Sequence, residues 1–191
     1  MVDMILTCEV EHLRPSSTIW ITGKTHHSQN IHVSELPVVF RRASSEDAPV
    51  LTELMHSAIR GDASAEYSEA ELQDWLTRLS EEGVRVKIET SALFEVGELD
   101  GEVVALGALG VTPDEIDLVY VSPNHARKGI GSIILRRLEA VSRQKGVSLL
   151  WLDASRNAVP MYAKHGYAKS CNSGPKPGRE CLCTRMEKPL S

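Results

Sequence analysis

An alternating run, Glu115-Ile-Asp-Leu-Val-Tyr-Val121, passes through Ser122-Pro-Asn-His-Ala-Arg-Lys128 into Gly129-Ile-Gly-Ser132. Ile130, Ile134, Leu138 and Val141 then recur at helical spacing, so a strand hands over to a helix through a glycine-bearing turn. Glycines at such a junction let successive backbone N–H groups converge without interference from Cβ atoms. The helix N-terminus contributes about half a positive charge, and a phosphate or pyrophosphate suits that place. Arg127 and Lys128 set mobile cations beside it, with Arg136 and Arg137 further along the helix, in a chain whose net charge is -5. Alone, a G-x-G turn is equally a tight strand–helix connection with solvated cations, because short glycine motifs recur by chance.

Carboxylates stand close by. By the period of two, Glu115, Asp117, Val119 and Val121 share one strand face. Glu115 and Asp117 are candidate general bases there, or solvated edge groups. Asp153, at the end of the next strand, is a third candidate. Further along, Asn157 and Tyr162 lie in Asn157-Ala-Val-Pro160-Met-Tyr162-Ala-Lys-His-Gly166-Tyr167. Read singly, Asn157 caps a short helix and Tyr162 is a core aromatic.

Taken together, the two segments resemble the GNAT superfamily of N-acetyltransferases. The first is similar to its acetyl-CoA motif, a strand ending V-x-V-x-P followed by Q/R-x-x-G-x-G/A, here Val119-Tyr120-Val121-Ser122-Pro123 and Ala126-Arg127-Lys128-Gly129-Ile130-Gly131-Ser132. All of these except Ser122 and Pro123, with Asn157, are the cofactor contacts the resemblance implies. Ala126 departs from the family's Gln or Arg, so the backbone is expected to cradle the pyrophosphate, with Arg127 or His125 as the supporting cation. The second segment is similar to the family's N-x-x-A/P-x-x-[FY]-Y-x-x-x-G-F/Y pattern. It implies that Asn157 holds the pantetheine arm and that the Tyr162 hydroxyl points at the thioester sulfur. Backbone N–H groups of Val119 and Val121 are expected at the pantetheine amides and thioester oxygen. Glu115 falls where histone-acetylating relatives keep a catalytic glutamate, and Asp117 lies one pleat nearer the thioester.

The implied reaction moves an acetyl group from acetyl-CoA to an amine of a small molecule or protein, by direct attack and without a metal. A CoA-binding sensor that does not turn over is the alternative. Many members pair through their sheets, which makes a homodimer one expectation. Tyr67 through Trp75 resembles a bacterial subgroup with a Tyr–Trp pair, and the resemblance covers residues 37–190.

The elements that must position these residues are legible around them. Residues 1–36 lack a sustained period and read as an extension with a strand at Thr18–Thr22. From Pro37 onward a single domain is expected, to residue 190. Val38–Arg42 is a strand, and Ser44 with Asp47 opens a helix carrying Val50, Leu51, Leu54, Met55 and Ile59. Ser68 with Glu71 opens a second, through Leu72, Trp75 and Leu79. Strands at Ala92–Val96 and Val103–Leu109 join through Asp100-Gly101, a hairpin signal, and Ile116–Val121 follows. Gly146 stops the helix after the glycine turn. Val147–Leu152 is a buried strand, Ala158–His165 a short helix, and Tyr167–Cys171 and Glu180–Met186 flank a Pro/Gly-rich loop at Asn172–Arg179. The order β-α-α-β-β-β-α-β-α-β-β describes an α/β protein, a mixed sheet covered by helices.

Several classes of function lack support. Net charge -5 gives nucleic acid no field to recognise. No apolar run approaches the roughly 20 residues of a membrane span, and the N-terminus does not read as a signal peptide. Cys8, Cys171, Cys181 and Cys183 lack zinc-site spacing and are expected as reduced thiols in the cytoplasm. Ile21-Thr-Gly23-Lys24-Thr25 looks like a P-loop tail, but Thr18 stands where that motif needs glycine.

Overall fold

The computed structural model describes residues 38–62, 65–170 and 183–190. The extension 1–36, its strand at Thr18–Thr22 and the loop Asn172–Arg179 lie outside the described residues.

Among the described residues, seven strands form one sheet in the order β1-β2-β3-β4-β5-β7-β6, all neighbours antiparallel except β4 and β5. They are β1 (Val39–Arg42), β2 (Phe94–Leu99), β3 (Glu102–Leu109), β4 (Glu115–Val121), β5 (Leu149–Ser155), β6 (Ala168–Lys169) and β7 (Cys183–Pro189). The β2–β3 hairpin turns on Asp100 and Gly101 at φ 53° and 82°, the left-handed pair such a turn requires.

One face carries α1 (Ala48–Asp62), α2 (Glu69–Thr77) and α3 (Glu81–Thr90), and the other α4 (Ile130–Gln144) and α5 (Val159–Lys164). The α1 face buries Leu51, Leu54 and Met55 against Phe94, Val96, Leu106, Ala108 and Leu118. The α4 face buries Ile130, Ile134, Leu135 and Leu138 with Leu150, Leu152, Ala154 and Met186. At Gly107 a Cβ would lie 2.2 Å from Ile134 Cγ2, so this glycine lets α4 lie close on β3.

The mixed α/β sheet expected from the sequence is observed, with one helix more. No element is expected from the sequence between Leu79 and Ala92, where Val84, Val86 and Ile88 alternate with polar residues and show no helical period. The segment is α3 because the Ser80 hydroxyl accepts from the Gly83 N–H at 3.1 Å, capping it, and because Val84 is buried against α1 residues. β5 also begins and ends later than the expected Val147–Leu152, since the chain first turns through Gly146 at φ 78°.

Candidate active site

β4 and β5 pair only at Glu115–Trp151 and Ile116–Leu152, and beyond that their C-terminal ends splay apart. Crevices at the carboxyl ends of parallel strands are habitual ligand sites. A cavity of about 510 Å³ occupies this one, and it runs between the two faces of the sheet.

The α4 side of the cavity is defined largely by backbone. Ser122 donates its N–H to Val104 O at 2.8 Å. In an antiparallel ladder bonding alternates, so Leu118 and Tyr120 also turn their amides to β3, and Val119 and Val121 turn theirs to the open edge. Gly129 precedes α4 at φ 87°, and a Cβ there would meet nothing within 4 Å. The glycine is therefore needed for its conformation, not for room. Arg127 also adopts a positive φ, 61°, which costs a non-glycine residue about 1–2 kcal/mol. The N–H groups of Ile130, Gly131 and Ser132 have no partner within the helix, since intrahelical bonding starts with Ile133 donating to Gly129 O.

The side chains on this side are few. Ser132 Oγ lies 2.8 Å from His165 Nε2. Asn157 Oδ1 is buried with no hydrogen-bond partner, as is His125 Nδ1, and both residues line the cavity. A buried acceptor left unpaired costs about 1–3 kcal/mol unless something donates to it. Tyr162 is 7% exposed, and burial raises its phenol pKa above the ordinary value. It therefore keeps its proton at neutral pH and is a donor, not a base.

The α1 side is built from side chains distant in sequence. Ala58 and Ile59 of α1, Trp75 of α2 and Tyr120 line it with Asp117, Asp153 and Cys183. Tyr67 packs edge-on to Trp75, ring centroids 5.5 Å apart. Burial raises the Tyr120 phenol pKa, against a hydrogen bond from Trp75 that works the other way. Asp117 is ion-paired with Lys87 of α3. Asp153 accepts from Arg185 at 2.6 and 3.0 Å, and the guanidinium stacks on Trp151.

The expected sharing of one face by Glu115, Asp117, Val119 and Val121 is not observed. Ala108 pairs with Leu118 and Leu109 with Ile116, leaving Asp117 as an extra residue in β4. Such a bulge resets the alternation. Ile116, Val119 and Val121 pack on the α4 side, whereas Leu118 packs among α1 residues and Asp117 reaches α3. Asp117 lines the cavity, but Glu115 sits at its closed end, against Gly110, and does not.

The other expected contacts also sort themselves. Val119, Tyr120, Val121, Ala126, Arg127, Gly129, Gly131, Ser132, Asn157 and Tyr162 all line the cavity. Lys128 is exposed beside it, and the Ile130 side chain is core, 1% exposed. Arg137 belongs to a different region: it pairs with Glu95 at 2.8 and 2.9 Å and lies over Phe40. Sequence reasoning missed Ser155, Met161 and Cys183. Cys183 reaches the site only because it pairs with Ser155 across β5 and β7.

The sequence profile of the Acetyltransferase (GNAT) family matches residues 53–167. The chain belongs to this family. It is similar to an uncharacterised N-acetyltransferase, YjcF, of Bacillus subtilis (strain 168), 38% identical over 53 residues, covering 28% of this chain and 38% of that protein. It is similar to the IAA acetyltransferase of Azospirillum brasilense, 32% identical over 104 residues, covering 51% and 67%. Among solved structures, a GCN5-related N-acetyltransferase from Rhodopseudomonas palustris aligns with TM-score 0.73 and 28% identity, over 80% of this chain and 96% of that one. The PaiA N-acetyltransferase from Thermoplasma acidophilum, solved with coenzyme A, shares the fold with TM-score 0.68 and 23% identity, over 80% and 98%. As a member of the GNAT family the chain carries an acyltransferase domain. No helix among the described residues is long and apolar enough to cross a membrane.

Proposed function

We propose that this GNAT protein transfers the acetyl group of acetyl-CoA to an amine by direct attack within the splay of β4 and β5. The observation that carries the reading is the unpartnered Asn157 Oδ1, buried in the same cavity that exposes the open-edge amides of β4 and the α4 N-terminus. Coenzyme A offers the amide N–H groups of its pantetheine arm for the first, the arm's carbonyl oxygens for the second and a pyrophosphate for the third. Acetyl-CoA therefore fits these residues. When bound, it supplies an acyl group already activated as a thioester.

The protein's part is to hold, exclude water and move protons. Amides of Ile130, Gly131 and Ser132, with Arg127, hold the pyrophosphate. The N–H groups of Val119 and Val121 orient the arm and polarise the acyl carbonyl. Tyr162, buried and protonated, donates to the departing sulfur. Asp117, paired with Lys87, takes the proton of the attacking amine directly or through water. Positioning of this kind accounts for about 7 kcal/mol or more of a barrier in good cases. Net charge -5 and the cysteine usage suggest a cytoplasmic enzyme with neither nucleic acid nor membrane as partner.

The test is calorimetric titration with acetyl-CoA, followed by thiol release on adding amines. Wild type is expected to bind and turn over. Tyr162→Phe is expected to bind equally and lose about 10²-fold in kcat. Equal binding and no turnover by wild type with any amine would leave a CoA sensor.

A further inference from the structure

Arg156 ties the α1 mouth of the cavity to the α4 mouth. It immediately precedes Asn157, and its backbone N–H donates to the Tyr67 hydroxyl at 2.7 Å. Its guanidinium lies 4.3 Å from the Tyr67 ring centroid, donates to Glu66 O at 2.8 Å and is ion-paired with Glu71. Glu71 in turn accepts from the Ser68 N–H and hydroxyl, both at 2.8 Å, in the capping box that starts α2. Tyr67 packs on Trp75, one helical face along. Partners 85 to 90 residues away thus tie the wall carrying Trp75 to the turn carrying Asn157.

Among the described residues, the acids at this mouth are paired. Asp117 has Lys87, Asp153 has Arg185 and Glu71 has Arg156. An anionic acceptor finds no surplus cation among these groups, and a polycation no surplus carboxylate. Among the described residues, the apolar and aromatic surface that faces a substrate body here is Trp75, Tyr120, Ile59 and Ala58. Resting on the acetyl-transfer reading, we propose that the acceptor amine is carried on an apolar or flat aromatic body packed against Trp75, and that Arg156 is the positioning residue that sets this seat relative to the thioester.

The experiment compares phenethylamine, hexylamine, ethanolamine and cadaverine with the full chain at saturating acetyl-CoA. The enzymes are wild type, Trp75→Ala, Arg156→Lys and Arg156→Ala, each checked for an intact thermal melt and for its acetyl-CoA Kd. Wild type is expected to use phenethylamine and hexylamine at least about tenfold better in kcat/KM than ethanolamine or cadaverine, the scale of one buried apolar group. Trp75→Ala should erase that preference. Arg156→Ala should raise the phenethylamine KM about tenfold with the acetyl-CoA Kd unchanged, and Arg156→Lys should recover part of it. Ethanolamine or cadaverine used equally or better by wild type overturns the proposal while leaving acetyl transfer standing. So does an Arg156→Ala variant that loses kcat at unchanged KM. Wild type that binds no acetyl-CoA overturns the transfer reading itself.

Discussion

The α4 mouth and the α1 mouth of one cavity are made by opposite means. The α4 mouth is a contiguous piece of chain, Val119 to Ser132, whose useful groups are backbone amides placed by a left-handed glycine, a helix start and an open strand edge. Asn157 and Tyr162 are its main added side chains. The α1 mouth assembles Ala58, Ile59, Trp75, Asp117, Asp153 and Cys183 from five different elements. It is held by ion pairs such as Lys87–Asp117 and Arg185–Asp153. A diphosphate and its amide-bearing arm can be gripped by peptide groups, which any sequence has; an acceptor has to be recognised by side chains. The difference suits a protein that keeps its donor and varies its acceptor.

The sharpest way to break this comparison is at Gly129. Gly129→Glu puts a carboxylate where the pyrophosphate is proposed to sit, at a φ of 87° that glycine alone adopts easily. Acetyl-CoA binding by calorimetry is expected to weaken at least about 100-fold, or roughly 2.7 kcal/mol. Unchanged affinity would remove the pyrophosphate from this turn.

The bulge in β4 provides the next test. Asp117→Asn is expected to lower kcat about 10- to 100-fold with acetyl-CoA affinity unaltered, whereas Glu115→Gln should stay within about threefold of wild type in kcat/KM. The reverse ranking would return the base to the closed end of the cavity.

A stability control lies away from both mouths. Arg41 makes a bidentate pair with Asp47 at 2.7 and 2.8 Å, and Asp47 also accepts from the Ser44 N–H. The guanidinium, with that N–H, holds the Asp47 carboxyl at about 2. Because the folded pKa is depressed, this stabilisation is present above the ordinary carboxylate range and is lost as pH falls through about 2. Asp47→Ala should cost about 1–2 kcal/mol in urea unfolding at pH 7 and less at pH 3, with kcat unchanged.

The smallest effect is expected at Gly131. A Cβ there would lie 3.6 Å from Val121 Cγ2, an ordinary contact. Gly131→Ala should keep acetyl-CoA affinity within about twofold and add up to about 1 kcal/mol of stability from helix propensity. A large loss would mean that the donor approaches this backbone closely.

How much could be read beforehand follows the same division. The glycine turn and the hairpin at Asp100-Gly101 were legible because each depends on local backbone chemistry that particular residue types impose, and Asn157 and Tyr162 were legible through the family resemblance of their segment. The helix at Glu81–Thr90 was not, since Val84, Val86 and Ile88 carry a strand's period and only packing against α1 decides for a helix. Nor was the bulge at Asp117, which depends on how β3 and β4 register and which moved Glu115 out of the cavity. Arg136 and Arg137 looked like one basic cluster with Arg127, yet Arg137 faces β2.

The sequence by itself therefore determined the strand–turn–helix that suits a diphosphate, because short-range sterics and hydrogen bonding act between near neighbours, and its motifs, with the segment bearing Asn157 and Tyr162, carried the family resemblance. Only the tertiary structure decided which carboxylate lines the cavity, which cation each acid keeps, and that Arg156 joins the two mouths. Those outcomes depend on contacts between residues up to 90 positions apart, and no local preference encodes them.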